Sequence, residues 1–247
     1  MMTDYMLRVI GWPLILRFGD PLVMDRWRWL RTRLASGPIR TFDAGCGNGC
    51  FSLAAAAQGN QVVAGSYDAG PIEKAARRAR LFGLNNVEFI AIDLRELDRR
   101  AGELGLFDQI ICTECIEHVQ NDEKLVHDLA ACLKPGGRLL LTTPEASHRP
   151  LRHEQLSEKE DGGHVRWGYT AERLTEIFSA AGLQVQEVSY TSGWISQQLT
   201  NLMRVEQERL AWALTYPLRA LQTVDRLSNA AIRHPWFGIG IVGSKQA

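Results

Sequence analysis

The sequence predicts an α/β fold, a mostly parallel sheet with helices packed on it. Three observations carry that expectation. An apolar run at 39–44 leads directly into glycines at alternate positions, Gly45, Gly47 and Gly49, and then into a helix of small residues at 51–57. Apolar runs of strand length keep alternating with helix-period stretches down to about residue 190. A helix stop, Leu133-Lys134-Pro135-Gly136-Gly137, is followed at once by another apolar strand. The glycine turn explains the arrangement. Glycine accepts φ > 0 and lets a ligand approach the backbone, and the helix opening there presents free N–H groups and a positive dipole end. That is a cradle for a nucleotide-type ligand at the carboxyl edge of a parallel sheet.

Each element has a local reason. Residues 1–38 precede the cradle. Leu7, Ile10, Leu14, Ile15 and Phe18 have roughly helical spacing, interrupted by Gly11 and Pro13, and 23–34 is a second helical stretch rich in Trp and Arg. The two read as an N-terminal helical cap with solvated arginines; a lid, or a surface touching anionic lipid, is the alternative. The second strand is 61–66. The helix at 71–82 is amphipathic, with Lys74, Arg77, Arg78 and Arg80 read as a solvated face. A turn at Leu84-Asn85-Asn86 leads to a third strand, 87–92, and Asp93 is placed to cap the turn at 94–99. The fourth strand is 107–113, the next helix 123–133 and the fifth strand 138–143. A polar loop, 144–167, is long enough to suggest function. Thr170 caps a helix to Ala181, with Glu172 in its first turn. The sixth strand is 183–190 and the last is 237–242. Between them an insertion, 196–235, has apolar positions (Leu199, Leu202, Met203, Leu210, Ala213, Leu214, Leu218, Leu221, Val224) suited to two helices broken at Pro217.

Composition bounds the class. With 247 residues, 45% of them hydrophobic, the chain builds one domain with a full core. The expected division is 1–38 cap, 39–195 core, 196–235 helical insertion and 236–247 last strand. A formal net charge of zero gives no field that would gather nucleic acid. No apolar run reaches transmembrane length, and residues 1–10 lack a secretory pattern. Five dispersed cysteines, an odd number, read as reduced thiols in a cytoplasmic protein. Cys112 and Cys115 are spaced as C-x-x-C, but Cys112 lies within a strand, so packing is the expected role. The chain carries no signal of oligomeric state.

The glycine spacing narrows the reading. It is not the dinucleotide G-x-G-x-x-G. Asp43-x-Gly45-x-Gly47-x-Gly49 resembles motif I of class I S-adenosylmethionine-dependent methyltransferases. Two further stretches agree. The fourth strand begins aromatic-Asp, and Glu117-His118-Val119 beyond it is common among methyltransferases of the ubiquinone-synthesis type. Leu133-Lys134-Pro135-Gly136-Gly137 followed by Leu139-Leu140-Leu141 is a second family match. The resemblance covers about residues 39–145. It implies a Rossmann-like core, with a seven-stranded, mostly parallel sheet and an antiparallel last strand, plus helical cap segments.

The resemblance also implies a cofactor, S-adenosylmethionine, and its contacts. Asp43, Gly45, Cys46, Gly47 and Gly49 form the cradle. The family's ribose-binding acid falls on Ser66, a departure, with Asp68 two residues later as the substitute; Tyr67 would cover the adenine. Asp93 matches the acceptor of the adenine amino group, with the Leu94 backbone N–H beside it. Glu114 faces the methionine part.

Chemistry at the acceptor has two candidates. Glu114, Glu117 and His118 are spaced i, i+3, i+4, so one helical turn would put them on one face, with His164 folding over from the long loop. This pattern resembles the metal site of small-RNA 2′-O-methyltransferases and, in part, that of ubiquinone O-methyltransferases; it suits Mg²⁺, Mn²⁺, Zn²⁺ or Fe²⁺. The other candidate is a simple base, His118 or His164. The expected function is O-methylation of a small-molecule, sugar or lipid-linked acceptor, with peripheral membrane contact compatible. A non-catalytic cofactor-binding partner protein and an RNA 2′-O-methyltransferase are the alternatives. The segments 1–38, 144–169 and 196–235 would select the acceptor.

Overall fold

The computed structural model describes residues 19–153, 155–204 and 217–246. The helical spacing noted at Leu7–Phe18 and at Leu210, Ala213 and Leu214 therefore lies outside the described residues. Helix α1 (Pro21–Leu30) comes first, followed by β1 (Arg40–Ala44), α2 (Cys50–Ala57), β2 (Gln61–Ser66), α3 (Ala69–Leu81), β3 (Val87–Ala91), α4 (Leu97–Leu104) and β4 (Phe107–Thr113). Then come α5 (Asp122–Ala131), β5 (Leu133–Pro144), α6 (Ala171–Ala180), β6 (Leu183–Thr191), α7 (Trp194–Met203), α8 (Asp225–Ile232) and β7 (Gly238–Lys245). Short 3₁₀ turns occupy Leu94–Glu96, Ile116–His118 and Arg219–Val224.

The strands form one seven-stranded sheet in the order β3-β2-β1-β4-β5-β7-β6. The pairs among β1 to β5 are parallel, and β7 runs antiparallel to both β5 and β6. This is the sheet that the resemblance implied. Strand alternation explains how it is covered. Ile110, Leu139 and Ile241 join one apolar cluster, while their chain neighbours Ile111, Leu140 and Val242 join another. Successive side chains point to opposite faces, so these central strands read as continuous apolar runs, buried on both sides. The order reverses between β1 and β4, which opens a crevice at their carboxyl ends.

The cap helix α1 is started by Asp20, which accepts the Leu22 N–H, and by Pro21 in the first turn. It lies tight on the sheet at Gly240, where a Cβ would come 2.4 Å from the Trp29 ring. The Trp29 indole N–H donates to Ser189 Oγ at 2.8 Å. Of the arginines in this stretch Arg31 is exposed as expected, but Arg28 pairs with Asp25, Arg33 beyond the helix with Glu187, and Arg26 with Glu114. Arg78 of α3 is likewise buried, and donates to the Asn48 carbonyl of the glycine loop at 3.0 Å.

Two other expectations change. The helix before Pro135 ends at Ala131, and Leu133 already pairs with Phe107. The register then shifts between Phe107 and Gln109, so Lys134–Gly137 bulges within β5 instead of stopping a helix. Gly137 permits this, since a Cβ there would meet the Lys134 and Phe107 carbonyls at 2.9 and 3.0 Å. In the insertion, α7 starts at Trp194 rather than after 196, and one 3₁₀ stretch precedes α8 beyond Pro217. The long loop after β5 is pinned to residues 116–122. Arg166 donates to the Val119 and Gln120 carbonyls at 2.9 and 2.8 Å and pairs with Asp122, while the Tyr169 hydroxyl donates to Asp122 at 3.0 Å. Among the described residues no helix is long and apolar enough to cross a membrane.

Candidate active site

A cleft of about 290 Å³ opens at the carboxyl ends of β1, β2 and β4. A larger groove, about 700 Å³, runs beside β6 and α1, but the expected site residues Ser66, Asp68, Asp93, Glu114 and His118 line the smaller cleft instead.

The three glycines of the cradle do three different things. Gly45 and Cys46 both donate their N–H groups to the Gly65 carbonyl at 2.9 Å, which ties the loop to β2. A Cβ on Gly45 would come 2.8 Å from Cys115 Sγ. Gly47, at φ +50°, would point a Cβ into space with nothing within 4 Å, and it lines the cleft. Gly49, at φ +78°, caps α2 and lies against Ala75, 2.6 Å from where its Cβ would be. Gly49 is thus a packing glycine and does not line the cleft. Cys46 is buried with its N–H spent on Gly65, and burial pushes its thiol pKa up. Asp43 is also away from the cleft wall: it is fully buried, accepts the Ser52 hydroxyl at the start of α2, and burial raises it from 3.8 to about 6. These three therefore stand behind the cleft wall, with Gly45 and Gly47 on it.

Ser66, Tyr67 and Asp68 all line the cleft. Asp68 Oδ1 accepts the Gly70 N–H at 3.0 Å, capping α3. Tyr67 is exposed, with the Arg95 guanidinium 5.7 Å from its ring centre. Asp93 and Leu94 follow β3 into the same cleft. The Asp93 carboxylate is gripped by Arg95, Nε at 2.8 Å to Oδ1 and Nη2 at 2.5 Å to Oδ2, which holds it below the usual carboxylate range.

Glu114 also lines the cleft, but it does not share a helical face with Glu117 and His118. It sits at φ +49°, and the following residues make only a 3₁₀ turn. Its carboxylate is therefore turned to Arg26, at 3.3 Å, and to the Thr142 hydroxyl, at 3.2 Å. Glu114 is outside the metal-capable set. Among the described residues that set is Glu117, His118 and His164, with one ligand atom of each within 4.8 Å of the others. Glu117 is fully buried; Oε2 accepts from Thr143 Oγ1 at 3.0 Å, while Oε1 has no hydrogen-bond partner. Burial, with the charge of Glu114 added, pushes its carboxyl well above the ordinary range. His118 Nδ1 lies 3.0 Å from the Gly163 carbonyl, which can only accept, so Nδ1 carries a proton, and in the neutral ring Nε2 is the nitrogen with the lone pair. Nε2 is 4.0 Å from Glu117 Oε1. The His164 ring stands nearly perpendicular to that of His118, 4.7 Å between centres. Of the other histidines, His127 is exposed beside Asp128 and His148 is buried against Phe237.

Three residues at the site went unnoticed in the sequence. Arg26 sits in a stretch dense in arginine, where nothing marks one of them. Arg95 had a weak signal, an Arg two residues after a turn-capping Asp. Glu160 had none, being one charge in the run Glu158-Lys159-Glu160-Asp161.

A methyltransferase domain family matches residues 23–188. A ubiquinone biosynthesis O-methyltransferase of Xanthomonas euvesicatoria pv. vesicatoria (strain 85-10) is 34% identical over 119 residues, 48% of this chain and 48% of that protein. The chain thus matches about half the length of such curated relatives. Among solved structures, the Haemonchus contortus phosphoethanolamine N-methyltransferase 2 aligns over 94% of this chain and 56% of that one, with a TM-score of 0.61 and 20% identity. A geranyl diphosphate C-methyltransferase of Streptomyces coelicolor A3(2) aligns over 89% and 75%, with a TM-score of 0.58 and 15% identity. At these identities the two structures speak for the fold alone.

Proposed function

The chain belongs to the methyltransferase domain family and is a class I S-adenosylmethionine-dependent methyltransferase, and from that premise we propose that it methylates a hydroxyl group of a small-molecule acceptor, with sugar or lipid-linked molecules within that class. S-Adenosylmethionine carries a methyl already activated by its sulfonium, so transfer asks for alignment, exclusion of water and, for a hydroxyl, removal of a proton. The observation that carries the proposal is His118: its Nδ1 is fixed on the Gly163 carbonyl, leaving Nε2 as a proton acceptor beside the buried Glu117. The 34% identity to an O-methyltransferase supports a hydroxyl acceptor in preference to an amine or a carbon.

In this reading Gly47 gives the donor its backbone approach, Ser66 and Asp68 serve the ribose, Tyr67 covers the adenine, and Asp93 with the Leu94 N–H meets its edge. Glu114 and Arg26 stand at the methionine end, where the guanidinium offers a partner for a carboxylate. Glu117, His118 and His164 also fit a divalent metal, because a buried carboxylate oxygen without a hydrogen-bond partner and two imidazoles converge. A metal there would supply positive charge that lowers the pKa of the acceptor hydroxyl. The imidazoles favour Zn²⁺ or Fe²⁺ over Mg²⁺.

The test is an assay of the purified protein with S-adenosylmethionine and a panel of phenols, catechols, sugars, amines and activated carbon acids, before and after chelation and metal return. Products are located by mass spectrometry and NMR. A methyl ether is the expected product. Methyl found on nitrogen or carbon, with every hydroxyl untouched, would overturn the reading.

A further inference from the structure

The cleft is walled in part by the loop that carries His164. Glu160 and Gly162 line it together with Asp93 and Arg95, which come from the other end of the sheet. Glu160 Oε2 lies 3.2 Å from Arg95 Nη1, and its second oxygen accepts the Gln120 backbone N–H at 2.6 Å. Beyond Glu160, the Gly163 carbonyl meets His118 Nδ1 and the Val165 N–H donates to the Glu117 carbonyl at 2.9 Å. Residues 157–165 are therefore a strap. One part is fastened to the Asp93–Arg95 pair, the other to the imidazole-bearing turn.

We infer that Glu160 is a positioning residue for methyl transfer: through Arg95 it ties the strap bearing Gly163 and His164 to Asp93, so that the cofactor's arrival sets the His118–His164 pair. This rests on the cleft being the S-adenosylmethionine site. A carboxylate has about four lone-pair positions; the Arg95 backbone N–H, Nε and Nη2 occupy three of those on Asp93, which leaves one for an adenine amino group. A base bound between Asp93 and Tyr67 would confine the Arg95 guanidinium, whose side chain is otherwise 39% exposed. A confined guanidinium in a drier cleft makes a stronger charge-assisted bond to Glu160. The coupling is reciprocal: the closed strap raises cofactor affinity by the factor by which the cofactor favours closure.

The experiment is hydrogen exchange and calorimetry with S-adenosylhomocysteine on the full chain, comparing wild type with Glu160→Gln and Arg95→Met. Gln keeps an acceptor for the Gln120 N–H and loses only the charge. In wild type the ligand should slow exchange both in the glycine loop (45–53) and in the strap (157–165). In each variant the loop should stay protected while the strap does not, and affinity should fall about tenfold, the size of one lost charge-assisted bond. Strap protection equal in wild type and both variants would overturn the inference, as would a wild-type strap indifferent to a ligand that protects the glycine loop. A ligand that protects neither segment would overturn the cofactor assignment, and this inference with it.

Discussion

Gly47 and Gly49 stand two residues apart in one motif, and a left-handed backbone serves a different end at each. At Gly47 a side chain would meet open cleft; at Gly49 it would meet Ala75. The same substitution should therefore fail in two ways. Gly47→Ala should cost about 1 kcal/mol of stability, the strain of a non-glycine at positive φ, and weaken S-adenosylhomocysteine binding at least tenfold. Gly49→Ala carries the same strain plus overpacking against Ala75, for a total of about 3 kcal/mol. Denaturant melts paired with calorimetry separate the two, and the opposite ranking would reassign the glycines. The motif shows where φ > 0 is needed, which is a local property. It does not show what lies beyond the missing side chain, because Ala75, Phe89 and Cys115 arrive from elements far along the chain.

The junction of β1 and α2 carries a charge whose state depends on burial. Asp43 is the last residue but one of the strand, accepts the hydroxyl of Ser52 and has a second oxygen with no hydrogen-bond partner. Its carboxyl keeps the proton to about pH 6 in the fold, against 3.8 ordinarily. The folded state then binds more protons than the unfolded chain between those values. The stability this contributes is full below about pH 4 and is lost as pH rises through about 6, a change of about 3 kcal/mol. An asparagine in its place cannot titrate. The stability of Asp43→Asn relative to wild type should climb by about that amount between pH 4 and pH 7, measured by urea unfolding. A flat difference would mean an ionised Asp43 throughout. Elements of this kind were easy to see in the sequence and hard to bound. Strands β2 and β4 fall where expected because both ends are marked by polar turns. The start of β5 was missed because Pro135 and two glycines mimic a helix stop, and the bulge they make is defined only by pairing with Phe107. The turn after β4 was misread as helical because the left-handed backbone at Glu114, a non-glycine residue, leaves no compositional trace.

At the scale of the molecule the site has two halves with different legibility. The residues proposed for the donor lie mostly at strand ends between residues 40 and 95, where local motifs mark most of them and Ser66 departs from the pattern. The half proposed to handle the proton comes together only where the loop after β5 folds back over residues 116–122, joining Gly163 to His118 across 45 positions. His164 was visible as a candidate because histidine is rare and chemically apt; Glu160 was hidden among its charged neighbours. If the halves are distinct, one can be removed without the other. His164 is a suitable probe, since the strap is fastened near it by backbone groups: the His164 carbonyl accepts the Ser157 N–H at 2.7 Å, and Val165 N–H donates to Glu117. Its imidazole is not needed for either bond. His164→Ala should therefore leave S-adenosylhomocysteine affinity within about twofold while methyl transfer falls about 10- to 100-fold, the usual cost of losing a group that orients a catalytic imidazole. Any bound metal should be lost in proportion, as elemental analysis would show. Affinity and turnover falling together would mean that the imidazole supports the donor site as well, and that the two halves of the cleft act as one.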